Sequence, residues 1–466
     1  MFVYVALFTS LIFPHWDKDW GWHYRYGEYL LTHGEFLIRD IYSWTMSGYA
    51  WINHSWGFDP IVYFLTNTFG FMGLSLVNAG IVFLSFYFLT KSFKLGPVQL
   101  SILAFFFYQI TETGVFEGLR SQSLALLPLS LIMYLLIKGK ENTKYLKFLP
   151  LVLFVFANLH GSFVLGAAIT AVFLGIYFFQ YPDRRWKLVL IGAASVLITL
   201  INPFTYHSYL EVFRHTGNPY LQNVTEWRPP SLSCSDCHVP TFAAYIVLLV
   251  LAFFALDKRF GLPFAIVAIP LIWESVTARR YLPLFGVATL PLLAEFLSVK
   301  GNKILDIERF KIVPFALAFV LFIVLEYNLF IRLPAANFYK YNEYDYCNYS
   351  SKCSPDLVKY LMNNPPAGYG LNFYDWGGYF IYKQVPFKLF VDGRMHLWRG
   401  KGYGAFADYI EVYYHKDEAK FKEYDFDWVI AYPDAPVVQM IKESKGLGSW
   451  RIQYQDQYSV YFVRER

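Results

Sequence analysis

Two aspartates one residue apart, Asp17 and Asp19, follow a short apolar opening and stand among Trp, Tyr and His. Carboxylates at a membrane edge can bind a divalent cation, here Mg²⁺ or Mn²⁺, through their oxygens. Alternatively, one of them can act as general base on an incoming hydroxyl. A solvated acidic loop that caps a helix has the same composition. Which interpretation holds depends on the other polar residues on the same side of a membrane.

Three arginines begin apolar segments: Arg120 in "EGLRSQS", and Arg279 with Arg280 in "TARRYLP". Their forked donors match the oxygens of a phosphate head group, although snorkelling to the interface explains a single arginine equally well.

His160 and Asn158 lie in "NLHG", a polar break between two apolar runs. Polar groups at membrane depth are costly, which favours a role for His160 in binding phosphate or orienting a carboxylate. The structural alternative is that His160 only ends a helix at Gly161.

Further carboxylates occur in "NVTEWRPP", which contains Glu226, in "NFYDWGGYFIY", which contains Asp375, and in "LFVDGRMHLW", which contains Asp392 and Arg394. Asp375 follows one predicted strand, and Asp392 and Arg394 end another, which lies in "FKLFVDG" at residues 387–393. Sheets of α/β proteins place ligands at such strand ends, but D-G and G-G pairs also form turns. The chain shows no P-loop, dinucleotide-binding, GxSxG, HExxH or EF-hand pattern. Hydrolase and metalloprotease functions therefore lack support.

The composition indicates a membrane protein. The 466 residues are 56% hydrophobic and only 16% charged, whereas soluble domains carry about 25% charged residues. The net charge of +5 is small and spread over loops, which argues against a nucleic-acid partner.

Apolar runs predict about eleven transmembrane helices, with the count open by one or two. The first run has no basic n-region and no cleavage site, so we predict an uncleaved span rather than a signal peptide. Residues 59–66 are expected to lie along the interface. The predicted spans are residues 1–13, 69–90, 96–111, 121–137, 147–158, 162–180, 187–202, 240–256, 260–273, 281–298 and 312–332.

Charge predicts the orientation. With residue 1 starting inside, the cytoplasmic loops hold 15 Lys and Arg, as the positive-inside rule expects. Every other polar motif then lies outside, including both close cysteine pairs, Cys234 with Cys237 and Cys347 with Cys353. In an oxidising compartment these pairs predict disulfides. A zinc site using the first pair and His238 is the alternative, but a second Cys/His pair is missing nearby.

The sequence predicts two domains. Residues 1–332 form a transmembrane domain whose first outer loop, residues 13–68, carries interfacial helices. Residues 333–466 alternate short β-branched or aromatic runs with amphipathic helices, which predicts a small extracytoplasmic α/β domain with a largely parallel sheet.

The order of the polar motifs resembles a broad prokaryotic family of multi-spanning proteins within the glycosyltransferase C superfamily. That family shows an acidic residue followed by Trp and His, here Asp19, Trp22 and His23. Two departures are His54, which is followed by Ser-Trp without the usual Glu before Trp, and Arg120, which is followed by Ser rather than Pro. The further matches are Gly27, "DIYS" at 40–43, "WINHSW" at 51–56, "RSQ" at 120–122, "NLHG" at 158–161, "NP" at 202–203, "EW" at 226–227, "RRY" at 279–281, "YDWGGY" at 374–379 and "VDGR" at 391–394.

The resemblance implies a mainly α-helical polytopic enzyme in the plasma membrane of a prokaryote. The loop charges predict that its N-terminus is cytoplasmic. It implies inverting transfer of a sugar from a polyprenyl-phosphate donor to a hydroxyl of a glycan, lipid or protein acceptor. Asp19 would be the base, and Asp17 would orient the acceptor or hold a cation. The donor phosphate would lie near Arg279, Arg280, Arg120 and His160. The expected acceptor and cavity residues are His23, His54, Glu226, Asn158, Asp375, Asp392 and Arg394.

Two alternatives stay open. An oligosaccharyltransferase-like enzyme would move a lipid-linked glycan to protein asparagine, with a pyrophosphate-linked donor and strict metal dependence. A non-enzymatic lipid or solute transporter would show internal repeats and midplane charges. Here the polar motifs cluster on one face and no repeat is evident.

Overall fold

The computed structural model describes residues 2–214, 218–234, 237–305, 320, 323–324, 326–335, 337–400 and 402–465. The chain forms two compact units. The first, which we call the helical unit, comprises Met1–His15, Met72–Phe213 and Glu226–Tyr339. The second, the α/β unit, comprises Trp16–Phe71, Arg214–Thr225 and Lys340–Arg466. We call its last segment, residues 340–466, the tail. Most of the first predicted outer loop, residues 13–68, therefore belongs to the same unit as the tail.

Twelve helices precede the tail in the described part of the chain. One of them, α3, is broken at Gly70, where φ is 61° and ψ is −164°. Their bounds are α1 Phe2–Ser10, α2 Trp20–His33, α3 Phe58–Thr90, α4 Pro97–Val115, α5 Ser121–Glu141, α6 Leu149–Ala157, α7 Phe163–Gln180, α8 Arg185–Leu197, α9 His207–Arg214, α10 Val239–Ala255, α11 Lys258–Thr277 and α12 Leu282–Leu305.

Among the described residues, five helices are long and apolar enough to cross a membrane. They are Phe58–Thr90, Ser121–Glu141, Phe163–Gln180, Lys258–Thr277 and Arg279–Gly301, and the shorter apolar helices are Tyr145–Ala157 and Val239–Ala255. Each of the first ten predicted spans overlaps a described helix. The last, residues 312–332, lies mostly outside the described residues, and the number of crossings stays a prediction.

The helical unit has an apolar core and an apolar outside. Leu129, Phe285 and Leu293 are fully buried in one continuous cluster, while Phe179 is 77% and Ile269 70% exposed. Large apolar side chains on the outside of a helical bundle are the arrangement that lipid contact favours. The chain is therefore an integral membrane protein, as its composition predicts.

The tail contains a small sheet in the order β1-β2-β4-β3. Among the described residues from 340 onward, six α-helices accompany it: α13 Glu343–Tyr349, α14 Pro355–Asn363, α15 Gly377–Lys383, α16 Ala405–Tyr413, α17 Glu418–Tyr424 and α18 Pro436–Glu443. The strands are β1 Gly370–Asn372, β2 Trp428–Ala431, β3 Ser449–Gln455 and β4 Val460–Glu465.

The prediction of a largely parallel sheet is wrong, because only β1 and β2 pair in parallel, while β2–β4 and β3–β4 are antiparallel. Strands β3 and β4 form a hairpin whose turn is fixed by Asp456, with Oδ1 accepting from the Tyr458 and Ser459 backbone N–H groups at 2.8 and 2.7 Å. Such a short connection permits only antiparallel pairing.

The predicted strand in "FKLFVDG", residues 387–393, is also wrong. The Leu389 backbone bonds to the backbones of Tyr42 and Trp44 in the loop after α2, and Asn372 Oδ1 accepts from the Phe390 N–H at 2.7 Å. The local pattern is that of a strand, but the partners of this segment come from a distant loop and from a side chain. The "DGR" turn is thereby held beside β1.

Candidate active site

Asp17 and Asp19 form a tight turn at the start of α2. Asp17 is 1% exposed, its Oδ1 accepts from the Asp19 N–H at 3.3 Å, and its carbonyl accepts from the Tyr346 hydroxyl at 2.8 Å. Asp19 is half-buried and is the N-cap residue of α2. Asp17 therefore shapes the turn, whereas Asp19 is the more exposed of the two residues.

Within the α/β unit, the "DWGGY" and "DGR" motifs both contact this turn. Lys18 Nζ donates to Asp375 Oδ2 at 2.5 Å, and the Lys18 carbonyl lies against Gly378 so closely that a Cβ there would overlap it. Asp19 Oδ1 lies in the same way against Gly393. The predicted site residues of the opening segment and of the "DWGGY" and "DGR" motifs thus come together, although more than 350 residues separate them.

Arg394 is at the centre of a buried ionic network. Its guanidinium donates to Asp392 at 2.6 and 2.7 Å, to Asp40 Oδ1 at 2.8 Å and to the Tyr26 hydroxyl at 2.6 Å. The side chains of Arg394, Asp392 and Asp40 are 0% exposed. Burial alone would lower the pKa of Arg394, but Asp392, with Tyr26 and Asp40, holds it well above the ordinary value.

Aromatic rings enclose this network. The Arg394 guanidinium lies 4.9 Å from the ring centre of Trp398 and 5.4 Å from that of Tyr42. Burial raises the pKa of Tyr42 to about 12, even though Arg394 favours the phenolate. Arg394 and Asp392 are therefore part of the interior that fixes the "DGR" turn, where they cannot meet solvent.

His23 belongs to a second buried cluster. Its Nδ1 lies 2.5 Å from Asp59 Oδ1, and Asn53 Nδ2 donates to Asp59 Oδ2 at 2.6 Å. All three side chains are buried, and His54 next to Asn53 is half-buried. Asp59 was not among the predicted site residues, because its position in the sequence indicates only the start of an interfacial helix.

The helical unit brings together Arg120, Arg280 and Glu226. Arg120 Nη1 lies 3.3 Å from Glu226 Oε2, and Arg280 Nη1 lies 3.0 Å from Glu226 Oε1. Gln122 Nε2 donates to Oε2 of the same carboxylate at 3.1 Å. We call these four residues the arginine–glutamate cluster, and its charged side chains are 14–18% exposed.

Arg279, the neighbour of Arg280, contacts the disulfide between Cys234 and Cys237. Its backbone N–H donates to the Arg228 carbonyl at 3.0 Å, and its Nη1 lies 3.0 Å from Cys234 Sγ. Cys234 is bonded to Cys237, and Cys347 to Cys353, which confirms both predicted disulfides and leaves no thiolate there for zinc.

Asn158 and His160 shape the break between α6 and α7. Asn158 Nδ2 donates to the Phe154 and Ile201 carbonyls at 2.8 and 3.1 Å. His160 Nδ1 lies 2.7 Å from the Ser162 hydroxyl. Both side chains are at most 9% exposed.

His15 is a residue that the sequence analysis missed. It is fully buried, and burial together with the positive charge of Arg120 lowers its pKa to about 3. The imidazole therefore stays neutral at physiological pH beside a functional candidate. Its position directly after an apolar run gives no signal of burial.

No group of three or more His, Cys, Asp and Glu side chains that could hold a metal ion occurs among the described residues. Oxygen ligands suit Mg²⁺ and Mn²⁺, but Asp17 already bonds to the backbone of Asp19. These two carboxylates do not assemble a metal centre in the described arrangement, and cation binding stays a prediction.

Comparison with known proteins shows the fold. No family model and no curated protein sequence matches the chain. The crystal structure of ArnT from Cupriavidus metallidurans bound to undecaprenyl phosphate is similar, with 13% identity and a TM-score of 0.55, covering 99% of this chain and 96% of that one. The apo oligosaccharyltransferase of Archaeoglobus fulgidus is also similar, with 13% identity and a TM-score of 0.57, covering 92% of this chain and 69% of that one.

The same archaeal enzyme in complex with Zn and sulfate has a TM-score of 0.51 at 13% identity, covering 100% of this chain and 73% of that one. The protein therefore has a glycosyltransferase C fold, as the resemblance implies.

Proposed function

We propose that the protein transfers a sugar, with inversion, from a polyprenyl-phosphate donor to an acceptor hydroxyl on the extracytoplasmic face of a prokaryotic plasma membrane. The fold supports glycosyl transfer, and the similar ArnT structure holds undecaprenyl phosphate. The observation that carries the proposal is the position of Asp19, a half-buried residue at the start of α2 whose Oδ1 lies against Gly393.

In this mechanism Asp19 is the general base. Its carboxylate removes the proton from the acceptor hydroxyl while the hydroxyl oxygen bonds to the anomeric carbon from the face opposite the phosphate. The bond between the anomeric carbon and the phosphate oxygen breaks, and the lipid phosphate leaves with the electron pair. The products are the inverted glycoside, the lipid phosphate and a protonated Asp19.

The donor phosphate is assigned to Arg120 and Arg280, because guanidinium groups match phosphate oxygens in geometry and charge. Stabilisation of the developing phosphate charge would lower the barrier to its departure. His160 and Arg279 are assigned to the surroundings of this phosphate, since the His160 ring bonds to the Ser162 hydroxyl and the Arg279 guanidinium contacts Cys234 Sγ.

The remaining predicted residues are assigned positioning roles. Asp17 fixes the Asp19 turn, and the ion pair between Lys18 and Asp375 ties that turn to the "DWGGY" motif. Asp392 and Arg394 fix the position of Gly393, which lies between them in the chain. His23 and His54 of the α/β unit and Asn158 of the helical unit are each assigned a part in acceptor binding.

The proposal is tested by Asp19→Asn, which removes the base and keeps the shape of the side chain. We expect transfer from a polyprenyl-phosphate sugar to fall at least about 100-fold, because general-base catalysis contributes about 10²–10⁴-fold. The melting temperature should stay within a few degrees of the wild type. Asp434→Asn, at an exposed loop position, is the matched control and should keep full activity. Full activity of Asp19→Asn would exclude Asp19 as base.

Oligosaccharyl transfer to protein asparagine is the second candidate, supported by the match to the Archaeoglobus fulgidus enzyme over 92% of this chain. This chain, however, covers only 69% of that enzyme but 96% of ArnT. Incubation of the protein with a pyrophosphate-linked oligosaccharide and an asparagine-containing peptide distinguishes the two functions. Glycosylation of the peptide would favour the second.

A further inference from the structure

Glu226 lies where an anionic ligand of the two arginines would lie. Its two carboxylate oxygens accept separately, Oε2 from Arg120 at 3.3 Å and Oε1 from Arg280 at 3.0 Å. Gln122 adds a neutral donor to the same carboxylate at 3.1 Å. Two guanidinium groups and an amide converging on one planar anion are the donor set that a phosphate monoester or diester also requires.

From this geometry we infer that Glu226 competes with the lipid phosphate of the donor for Arg120 and Arg280, and that donor binding displaces its carboxylate. This inference rests on the proposed function, because it takes the donor to be a polyprenyl phosphate. Glu226 thereby sets the affinity for donor and for the lipid phosphate that is released.

The charge balance of the cluster makes this competition effective. Arg120 also pairs with Glu117 at 2.8 Å, so Glu117 and Glu226 together carry two negative charges beside the two positive charges of Arg120 and Arg280. A phosphate added to this set would carry uncompensated negative charge. If the singly charged phosphodiester of the donor replaces the Glu226 carboxylate instead, the net charge of this mostly buried site is retained.

Glu226 can leave without dismantling the cluster. It lies in the short helical turn Thr225–Trp227, outside the long helices, whereas Arg120 begins α5. Arg280 has a second support, because its guanidinium lies 4.1 Å from the ring centre of Trp227. A Glu117 contact likewise holds Arg120. Both cations therefore keep a partner when the Glu226 carboxylate is displaced.

The test measures binding of undecaprenyl phosphate to the full-length protein in detergent, by thermal shift and by native mass spectrometry. Glu226→Gln keeps the shape and removes the charge. We expect it to bind about tenfold more tightly, because two partly buried ion pairs, each worth up to about fivefold, no longer compete. Arg280→Gln should bind more weakly than the wild type.

Two controls distinguish competition for Arg120 and Arg280 from a general effect of removing a negative charge. Glu141→Gln neutralises an exposed carboxylate at the other end of α5 and should leave binding unchanged. Glu117→Gln removes a carboxylate that pairs with Arg120 alone and should tighten binding less than Glu226→Gln. An equal or larger effect of Glu117→Gln would overturn the inference, because general electrostatics would then explain the gain.

Unchanged or weaker binding by Glu226→Gln also overturns the inference, as does an absence of binding to every form. The outcome is independent of catalysis. If the variants bind as expected while no form transfers sugar, the inference stands and the proposed function fails. If the wild type transfers sugar and Glu226→Gln binds no more tightly, the proposed function stands and the inference fails.

Discussion

Arg394 Nη2 donates to Asp40 Oδ1 at 2.8 Å, joining two fully buried side chains that lie 354 positions apart in the chain. The contact ties the loop after α2 to the "DGR" turn of the tail. Because the same guanidinium also binds Asp392, the Arg394 side chain fixes the position of Gly393 next to the Asp19 carboxylate.

Loss of Arg394 should destabilise the α/β unit strongly. Arg394→Gln leaves Asp40 and Asp392 buried without their cation, which costs about 3–5 kcal/mol in the free energy of unfolding. Denaturant unfolding followed by tryptophan fluorescence measures the change. Arg464→Gln is the matched control, because it breaks an ion pair with the 65%-exposed Asp425 and should cost at most about 1 kcal/mol. Equal effects of the two variants would contradict the assigned role.

A methyl group at Gly393 should reduce activity without unfolding the protein. The added Cβ would overlap Asp19 Oδ1, and a carboxylate at the end of a side chain can move aside. We expect Gly393→Ala to lower kcat for sugar transfer at least about tenfold, since misplacing a reacting group by about 1 Å can cost 100-fold. The melting temperature should change little.

Gly80→Ala controls for the added methyl, because nothing lies within 4 Å of that position. It should keep wild-type kcat. If Gly393→Ala retained full kcat, the position of the Asp19 carboxylate described here would not be the one that matters for catalysis.

Protonation of His15 should destabilise the protein in acid. Burial and Arg120 lower its folded-state pKa to about 3, whereas an unfolded chain titrates histidine at about 6.5. Between these values the unfolded state binds more protons, so the stabilising contribution is complete above about pH 6.5 and is lost as the pH falls. The slope reaches about 1.4 kcal/mol per pH unit.

Melting temperatures in detergent at pH 7.5 and pH 5 measure this effect. The wild type should lose more stability on acidification than His15→Gln, which has no group to protonate there. The same pH dependence in both proteins would mean that the histidine is not held neutral.

Parts of this architecture follow from sequence alone, and others do not. Apolar runs predict the helices, because burial in lipid demands long stretches without charge. The pairing of Arg120 with Glu226 and the approach of Asp19 to Gly393 depend on how distant segments pack, which local patterns do not contain. The sheet prediction failed for the same kind of reason, since β3 and β4 pair across the Asp456 turn.

Burial changes the meaning of several motifs. "VDGR" indicates an exposed turn with two charges, but Asp392 and Arg394 are 0% exposed. The Arg394 guanidinium also pairs with Asp40, whose own motif shows nothing of this partner. The motif therefore indicates that these residues are important, but it does not show whether they contact a ligand or position other residues that do.

The most direct test of the proposed function follows the products of one reaction. Purified protein is incubated with a polyprenyl-phosphate sugar of known anomeric configuration and a hydroxyl acceptor, with the lipid analysed by mass spectrometry and the glycoside by NMR. We predict stoichiometric release of polyprenyl phosphate, an inverted anomeric centre, and loss of both products in Asp19→Asn. Retained configuration, or undiminished release by Asp19→Asn, would contradict the proposed mechanism.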